Sequence, residues 1–205
     1  MTYLDGVTAN LSDERRDRFL GSAIACFARY GYRRTSMGSI AEAADVSRPA
    51  LYQYFTSKDD IFRAAVAWEL SKLASYVEGQ AERVGDADGR LVASLKPVLR
   101  MHRTAGDQTT RTASPFYGEM LDETYARAGD LWEEFETRVL AALQSILEWH
   151  AAERDLGTDV AADGVAEVLF YGTKGIAVHV SEAPHAVRLL KQLVALTIRG
   201  ITQPG

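Results

Sequence analysis

Residues 35–58 read TSMGSIAEAADVSRPALYQYFTSK, and this stretch decides the fold. Thr35 and Ser36 are hydroxyl residues placed where a helix N-cap is expected. Behind them, apolar side chains recur at the spacing of one helix face, at Met37, Ile40, Ala41 and Ala44. That spacing predicts a helix of about two turns.

A turn and a second short helix follow. Asp45 suits the turn because aspartate tolerates turn geometry. Ser47 offers the next N-cap, and Pro49 fits the first helical turn, where its missing N–H group costs nothing. We therefore expect a second helix to begin near Arg48.

The second helix has an inward and an outward face. Leu51 and Phe55 form an apolar i, i+4 pair, which leaves Arg48, Tyr52 and Gln53 on the opposite face. Two short helices joined by a turn of about four residues fit the helix-turn-helix, whose second helix enters the DNA major groove. The alternative is a plain helical packing motif with tyrosines facing solvent.

The exposed side chains suit DNA contact. Arginine can fork onto guanine or a phosphate, glutamine can pair with adenine, and tyrosine hydroxyls can donate to phosphate oxygens. Lys58 begins the next helix, where its ammonium and the backbone N–H groups could bind one phosphate. The residues expected to contact DNA are Thr35, Ser36, Arg48, Pro49, Tyr52, Gln53, Tyr54 and Lys58.

The same stretch resembles the N-terminal signature of the tetracycline-repressor (TetR) family. The resemblance spans roughly residues 15–66 and rests on these runs: Gly31-Tyr32 with Thr35-Ser36, Ile40 to Ser47, Leu51 to Phe55, and Ser57 to Asp60. Asp45 stands where the family most often has glycine, and we expect it to hold the left-handed conformation at some cost. Gln53 occupies a reading position that varies in such proteins, so it does not identify the operator.

The resemblance implies an all-α chain with two domains. Residues 13–64 would form a three-helix DNA-binding domain, and residues 65–205 a helical ligand-binding and dimerisation domain. Residues 1–12 show no period and are expected to be disordered. A first helix is predicted over residues 13–30 with Gly31 as its stop, and further helical periods cover 59–83, 91–102, 116–127, 130–152, 160–180 and 184–201.

Two features of the C-terminal part are less regular. Pro97 lies inside the helical stripe of residues 91–102 and is expected to kink or restart that helix. Residues 104–115 lack apolar groups and are expected to form a loop, which is long for a compact domain unless it is mobile or gates something.

Composition and charge limit the function classes. No apolar run approaches the roughly 18 to 20 residues of a membrane span, and the N-terminus lacks the features of a signal peptide, so we expect a cytoplasmic protein. The single cysteine, Cys26, is expected to be a buried thiol. The net charge is −5, yet residues 1–64 carry nine basic against eight acidic side chains. A local patch would then supply the attraction to phosphate.

The C-terminal part has the composition of a small-molecule pocket, because aromatic residues, a methionine and a histidine recur on its helices. Each of these residues could equally belong to plain hydrophobic core, and it is the family resemblance that favours a pocket. The predicted pocket residues are Trp68, His102, Phe116, Tyr117, Met120, Trp132 and Tyr171.

The last helix is apolar over far more than the roughly 100° that one core contact needs, so it is expected to be buried on two sides. Glycines in the preceding helix would allow another helix to approach closely, and family members pair through a four-helix bundle of this kind. The predicted dimer interface comprises Val168, Gly172, Gly175, Leu190, Val194, Ile198 and Ile201.

No other chemistry is visible. The four histidines are scattered, and the best metal-ligand spacing is only His150 with Glu153. There is no glycine-rich phosphate loop or nucleophile elbow, so no metal, no cofactor and no enzyme activity are expected. We predict a dimeric repressor that leaves a palindromic double-stranded DNA operator when a small, largely apolar effector binds. The alternatives are a helical scaffold or ligand-binding protein with a vestigial DNA head, and with least support an enzyme.

Overall fold

A computed structural model describes residues 3–83, 85–103, 117–154 and 161–202. Over these residues the chain forms eight helices and no strand, which confirms the predicted all-α class. None of the helices in these ranges is both long and apolar enough to cross a membrane. The helices are α1 Tyr3–Arg34, α2 Met37–Ala43, α3 Arg48–Tyr52, α4 Lys58–Ala81, α5 Ala87–Arg103, α6 Tyr117–Glu153, α7 Ala162–His179 and α8 Ala183–Thr202.

The chain divides into two compact units, and neither is continuous in sequence. The first comprises Met1–Leu70 with Ser114–Trp132, and the second comprises Ser71–Ala113 with Glu133–Gly205. The sequence-based division into residues 13–64 and 65–205 did not foresee that the beginning of α6 belongs to the first unit. Helical periodicity shows which face of a helix is apolar, but it does not show which other helix covers that face.

Helix α1 is longer than the sequence predicts. It begins at Tyr3, whereas residues 1–12 were expected to be disordered. Extending an existing helix fixes one residue per hydrogen bond, so α1 can continue toward the N-terminus without an apolar period of its own. The predicted stop is confirmed as a kink, because Gly31 has φ 77° and ψ 162° inside the assigned helix.

The core of the first unit orients the helix-turn-helix. Phe27 and Phe62 meet edge to face with ring centroids 5.0 Å apart, and the ring of Tyr32 also lies 5.0 Å from Phe62. Burial of each such apolar side chain contributes about 1.5–3 kcal/mol. The fully buried residues of this unit include Phe19, Leu20, Phe27, Ile40, Leu51, Phe55, Ile61 and Phe62.

Two predicted helix breaks have different outcomes. Helix α5 runs from Ala87 to Arg103 with Pro97 inside it, so the proline does not restart the helix. An interior proline costs about 3 kcal/mol of helix stability, which burial of neighbours such as Val98 and Leu99 can offset.

The predicted break before residue 130 is present as a kink, because Ala128 has φ −145° and ψ 31° within α6. The predicted loop at 104–115 lies outside the described residues.

Helices α5, α7 and α8 pack against one another in the second unit. Arg90 of α5 is buried and donates from Nε to the carbonyl oxygen of Gln80 at 3.1 Å and from Nη2 to that of Ala81. Its guanidinium lies 4.6 Å from the ring centroid of Trp149. The arginine therefore caps the last carbonyl groups of α4, which have no partner within the helix.

Candidate nucleic-acid interface

The first helix of the motif is fixed by a capping box. The Ser36 hydroxyl accepts a hydrogen bond from the Ser39 backbone N–H at 3.1 Å, and the Ser39 hydroxyl accepts one from the Ser36 backbone N–H at 2.9 Å. Two donors at the helix start are satisfied reciprocally. Helix α2 buries Met37, Ile40 and Ala41, as the sequence predicts.

The turn has the geometry of a Schellman motif. Asp45 has φ 55°, and the Val46 N–H donates to the Ala41 carbonyl at 2.9 Å while the Asp45 N–H donates to the Glu42 carbonyl at 3.1 Å. These two bonds satisfy carbonyl groups at the end of α2 and require a left-handed residue at position 45. The expectation that Asp45 would hold this conformation is confirmed.

Helix α3 is short and begins as predicted. The Ser47 hydroxyl accepts from the Ala50 N–H at 3.3 Å, and Pro49 lies in the first turn. Leu51 and Phe55 are buried. Their burial fixes the rotation of α3 about its axis and thereby determines which side chains face outward.

The outward face of α3 carries most of the residues expected to contact DNA. Arg48, Pro49 and Gln53 are exposed, and 40% of Tyr52 is accessible. Arg48 Nη2 donates to the Tyr52 hydroxyl oxygen at 3.2 Å, with the guanidinium carbon 5.5 Å from the ring centroid. Because the tyrosine accepts this bond, its own O–H remains able to donate to a phosphate.

Three other predicted DNA residues have different surroundings. Tyr54 is half-buried, and its ring packs edge to face on Phe19 at 5.1 Å. Ser36 is exposed beside the start of α2. Thr35 is a correction, because it is buried and its hydroxyl bonds to the carbonyl oxygens of Gly31 at 2.8 Å and Cys26 at 3.2 Å. Thr35 therefore holds the entry to α2 together and does not face a ligand.

Lys58 lies at the start of α4 against Tyr32. Its ammonium donates to the Tyr32 carbonyl oxygen at 3.1 Å and lies 4.3 Å from the Tyr32 ring centroid. An ammonium has three donors, so this contact leaves others for a phosphate. The phosphate contact expected of Lys58 at this helix N-terminus stays a prediction.

Tyr32, Asp59 and Arg127 form a charged cluster that the sequence did not single out as part of the site. The Tyr32 hydroxyl donates to Asp59 Oδ1 at 2.6 Å, and Arg127 Nη1 contacts the same oxygen at 2.6 Å. Burial and the bond to Asp59 raise the pKa of Tyr32 to about 12. The bond from Tyr32, followed by the nearby Arg127, lowers the pKa of Asp59. Tyr32 and Asp59 belong to recognisable motif runs, whereas Arg127 has no local signal because it is distant in sequence.

The residues predicted for the ligand pocket do not fall in one compact unit. Trp132 is buried and Trp68 half-buried, and both belong to the first unit. His102 is buried in the second unit with Nδ1 3.0 Å from the Val98 carbonyl oxygen, and burial lowers its pKa. Tyr171 is 49% exposed on α7, and its assignment to a pocket stays a prediction. Phe116 and the side chains of Tyr117 and Met120 lie outside the described residues.

The residues predicted for the dimer interface separate into two groups. Leu190, Val194 and Ile198 are corrections, because they are buried in the second unit and serve its core. An amphipathic helix shows a broad apolar face in sequence whether one neighbour or two neighbours cover it, so the prediction assigned core residues to a partner. Gly172 lies close to α8, where an added Cβ would be 2.9 Å from a Leu193 methyl carbon. Ile201 is half-buried.

An exposed apolar stripe remains on α7. Val168 and Val178 are each 60% exposed, and Tyr171 is 49% exposed. Gly175 lies between them, and an added Cβ there would meet nothing within 4 Å. The spacing of these four residues places them on one face of the helix. We call them the α7 stripe; Leu196 of α8 is also 67% exposed.

Comparisons with known proteins agree with this architecture. Residues 19–65 match the profile described as bacterial regulatory proteins, tetR family. The chain is 40% identical over 164 residues to the HTH-type transcriptional regulator AcrR of Shigella flexneri, covering 76% of this chain and 74% of AcrR. It is 27% identical over 175 residues to the HTH-type transcriptional repressor KstR of Rhodococcus jostii (strain RHA1), covering 77% of this chain and 82% of KstR.

Solved structures share the fold. A putative TetR-family transcriptional regulator from Mesorhizobium loti MAFF303099 has a TM-score of 0.70 at 20% identity, covering 92% of this chain and 97% of that one. GusR of Salmonella enterica has a TM-score of 0.65 at 23% identity, covering 91% of this chain and 96% of GusR.

Proposed function

Because the chain belongs to the tetR family of bacterial regulatory proteins and is a DNA-binding transcriptional regulator, we propose that it is a homodimeric repressor of a palindromic operator. Residues 13–64 bind the DNA. A small, largely apolar effector binds within residues 65–205 and releases it. The relatives are transcriptional regulators and not enzymes.

The outward face of α3 is the observation that carries this proposal. Arg48 and Gln53 are exposed where a recognition helix meets base edges, and Tyr52 and Lys58 flank them with phosphate donors. In a two-fold dimer the two copies of α3 would lie in successive major grooves, about 34–36 Å apart. A palindrome with that half-site spacing is the matching target.

The first experiment is fluorescence anisotropy with the duplex that flanks the protein's own gene and a scrambled duplex, at two salt concentrations. A repressor should prefer the first duplex and retain that preference as salt rises. Tyr52→Phe and Lys58→Ala should weaken binding to both duplexes, whereas Gln53→Ala should mainly reduce the preference. If the protein bound both of these duplexes and further duplexes from the genome equally and weakly, the alternative of a vestigial DNA-binding domain would be favoured.

The α7 stripe supports the homodimer. A contiguous exposed apolar face marks an interaction surface, and a second copy of α7 and α8 would complete a four-helix bundle. Light scattering should therefore return about twice the chain mass of 22.5 kDa. Val168→Glu with Val178→Glu should reduce it to the monomer mass, because both positions are exposed and their replacement leaves the core intact.

Ser145→Glu is the matched control for this experiment, since it adds a carboxylate at an exposed helical position of α6 outside the stripe. The control should remain dimeric. A wild-type monomer, or a double variant that stays dimeric, would contradict pairing through the α7 stripe.

The effector is proposed to act by favouring a state of the dimer in which the two DNA-binding domains have a different spacing. Coupling of this kind is typically about 1–3 kcal/mol, or roughly 5-fold to 150-fold in affinity. Compounds that lower the anisotropy of the operator complex identify candidates. A true effector must bind the free protein more tightly than the DNA complex by the same factor, because linkage is reciprocal.

A further inference from the structure

The first turn of α4 carries opposite charges side by side, at Lys58 and Asp59. The Asp59 carboxylate is held by two donors, the Tyr32 hydroxyl and Arg127 Nη1, each 2.6 Å from Oδ1. The Lys58 ammonium donates to the Tyr32 carbonyl oxygen, and its charge also contributes to the lowered pKa of Asp59. Arg127 comes from the beginning of α6, which belongs to the same compact unit.

Asp59 is unfavourable for DNA binding on electrostatic grounds. A carboxylate beside the proposed phosphate contact repels the phosphate, and it also competes with the phosphate for the Lys58 ammonium. Arg127 counters both effects, because its guanidinium pairs with the carboxylate at Oδ1. Its guanidinium lies 4.3 Å from the Tyr32 ring centroid, as the Lys58 ammonium does, so both cations contact one aromatic ring.

We propose that Arg127 is a positioning residue for DNA binding, which keeps Asp59 away from Lys58 so that the Lys58 ammonium remains available to an operator phosphate. The inference rests on the DNA binding proposed above. When Arg127 withdraws, Asp59 takes Lys58 as its partner and the phosphate contact is lost. A change of ion-pair partner among Arg127, Asp59 and Lys58 then links the position of the beginning of α6 to the affinity for the operator.

The surroundings of Arg127 make its position sensitive to the backbone of α6. Its Nε donates to Glu123 at 2.6 Å, one turn earlier on the same helix. The next residue is Ala128, where α6 is kinked. A change of the kink therefore moves the Arg127 side chain relative to Asp59. Arg63 of α4 also holds this part of α6, because it pairs with Asp130 at 2.7 Å and donates to the Arg127 carbonyl oxygen.

The test is a double-mutant cycle on operator binding by the full-length protein. Arg127→Gln should weaken binding about tenfold or more, because each protomer loses a charged phosphate contact. The slope of log affinity against log salt should fall by about two per dimer. Asp59→Asn in the Arg127→Gln background should restore both values, because asparagine can still accept from Tyr32 but does not attract Lys58.

Arg138→Gln is the matched control, since it removes an equal charge and the ion pair of Arg138 with Glu78, which also joins α6 to α4. It should change affinity less than Arg127→Gln, and Asp59→Asn should not rescue it. A general loss of fold would lower the helical circular dichroism and would not be reversed by Asp59→Asn. Failure of the rescue, or equal effects of the two arginine substitutions, would overturn the inference.

A second readout does not depend on DNA. Limited acetylation, followed by peptide mass spectrometry, should modify Lys58 more slowly in Arg127→Gln than in wild type, because only the neutral amine reacts and a carboxylate partner favours the ammonium. The wild-type rate should return in the double variant. Equal rates in all three proteins overturn the inference even if operator binding is specific. A wild type without operator preference would instead contradict the proposed function.

Discussion

Replacement of Asp45 by glycine should stabilise the helix-turn-helix. Asp45 is held at φ 55° by the two hydrogen bonds that end α2. The left-handed conformation costs a residue with a side chain roughly 1–2 kcal/mol, and less for aspartate, whose side chain can bond locally. Glycine removes that cost but loses about 0.4–1 kcal/mol through the greater freedom of the unfolded chain. We expect Asp45→Gly to gain about 0.5 kcal/mol net and Asp45→Ala to lose about 1 kcal/mol.

Hydrogen exchange of peptides covering residues 36–56 measures this locally, which matters because a chain with two compact units need not unfold in one step. Each 1 kcal/mol changes the opening equilibrium about fivefold, so the alanine and glycine variants should differ in exchange rate about tenfold. Asp45→Asn is the control for charge, because asparagine tolerates the left-handed conformation without the carboxylate. Its exchange rate should stay near that of wild type.

The reasoning would be refuted if the glycine variant exchanged faster than wild type, since the aspartate side chain would then contribute more than its conformation costs. An alanine variant as slow as the glycine variant would show that the backbone at residue 45 leaves the left-handed region in solution.

Further predictions concern the second unit. Arg90→Ala should lower the free energy of unfolding of this unit by about 2–3 kcal/mol, because two charged hydrogen bonds to the end of α4 and the contact with Trp149 are lost. Urea denaturation measures this loss, with substitution of the exposed Arg83 by alanine as the control. An equal, small effect of both substitutions would contradict the capping role. Burial lowers the pKa of His102 in the folded state, so the unfolded chain takes up a proton that the folded chain does not. The free energy of unfolding is therefore at its full value above the pKa of about 6.5 that histidine has in the unfolded chain, and it falls as the pH drops below that value. Urea denaturation at pH 7 and pH 5 should show this loss, and His102→Asn should reduce it; an unchanged difference would indicate that His102 is accessible to protons in the folded state.

The helix-turn-helix could be predicted closely because its signals are local. Ser36 and Ser47 accept from N–H groups three residues ahead, and the bonds that place Asp45 in the left-handed region reach back no farther than Ala41. Contacts within one or two helical turns are determined by residues that lie next to one another in the sequence. Spacing alone therefore identified both caps and the turn.

The errors arose where a side chain meets a residue distant in sequence. Thr35 has the hydroxyl of an N-cap, but its bond to the Cys26 carbonyl shows that it faces the interior. Leu190 lies on an apolar helix, and only its packing within the second unit shows that it is buried there. Arg127 reaches Asp59 across the chain, and no periodicity reports such a contact.

The shortness of α3 has a consequence for engineering. Its span, Arg48–Tyr52, is five residues, whereas isolated helices shorter than about 12–15 residues are marginal in water. A synthetic peptide of α3 would therefore not hold the arrangement of Arg48 and Tyr52, however well those side chains match a DNA sequence. Transplanting the specificity of this protein requires the outward residues to be grafted onto another complete helix-turn-helix, in which a buried pair equivalent to Leu51 and Phe55 fixes the helix from behind.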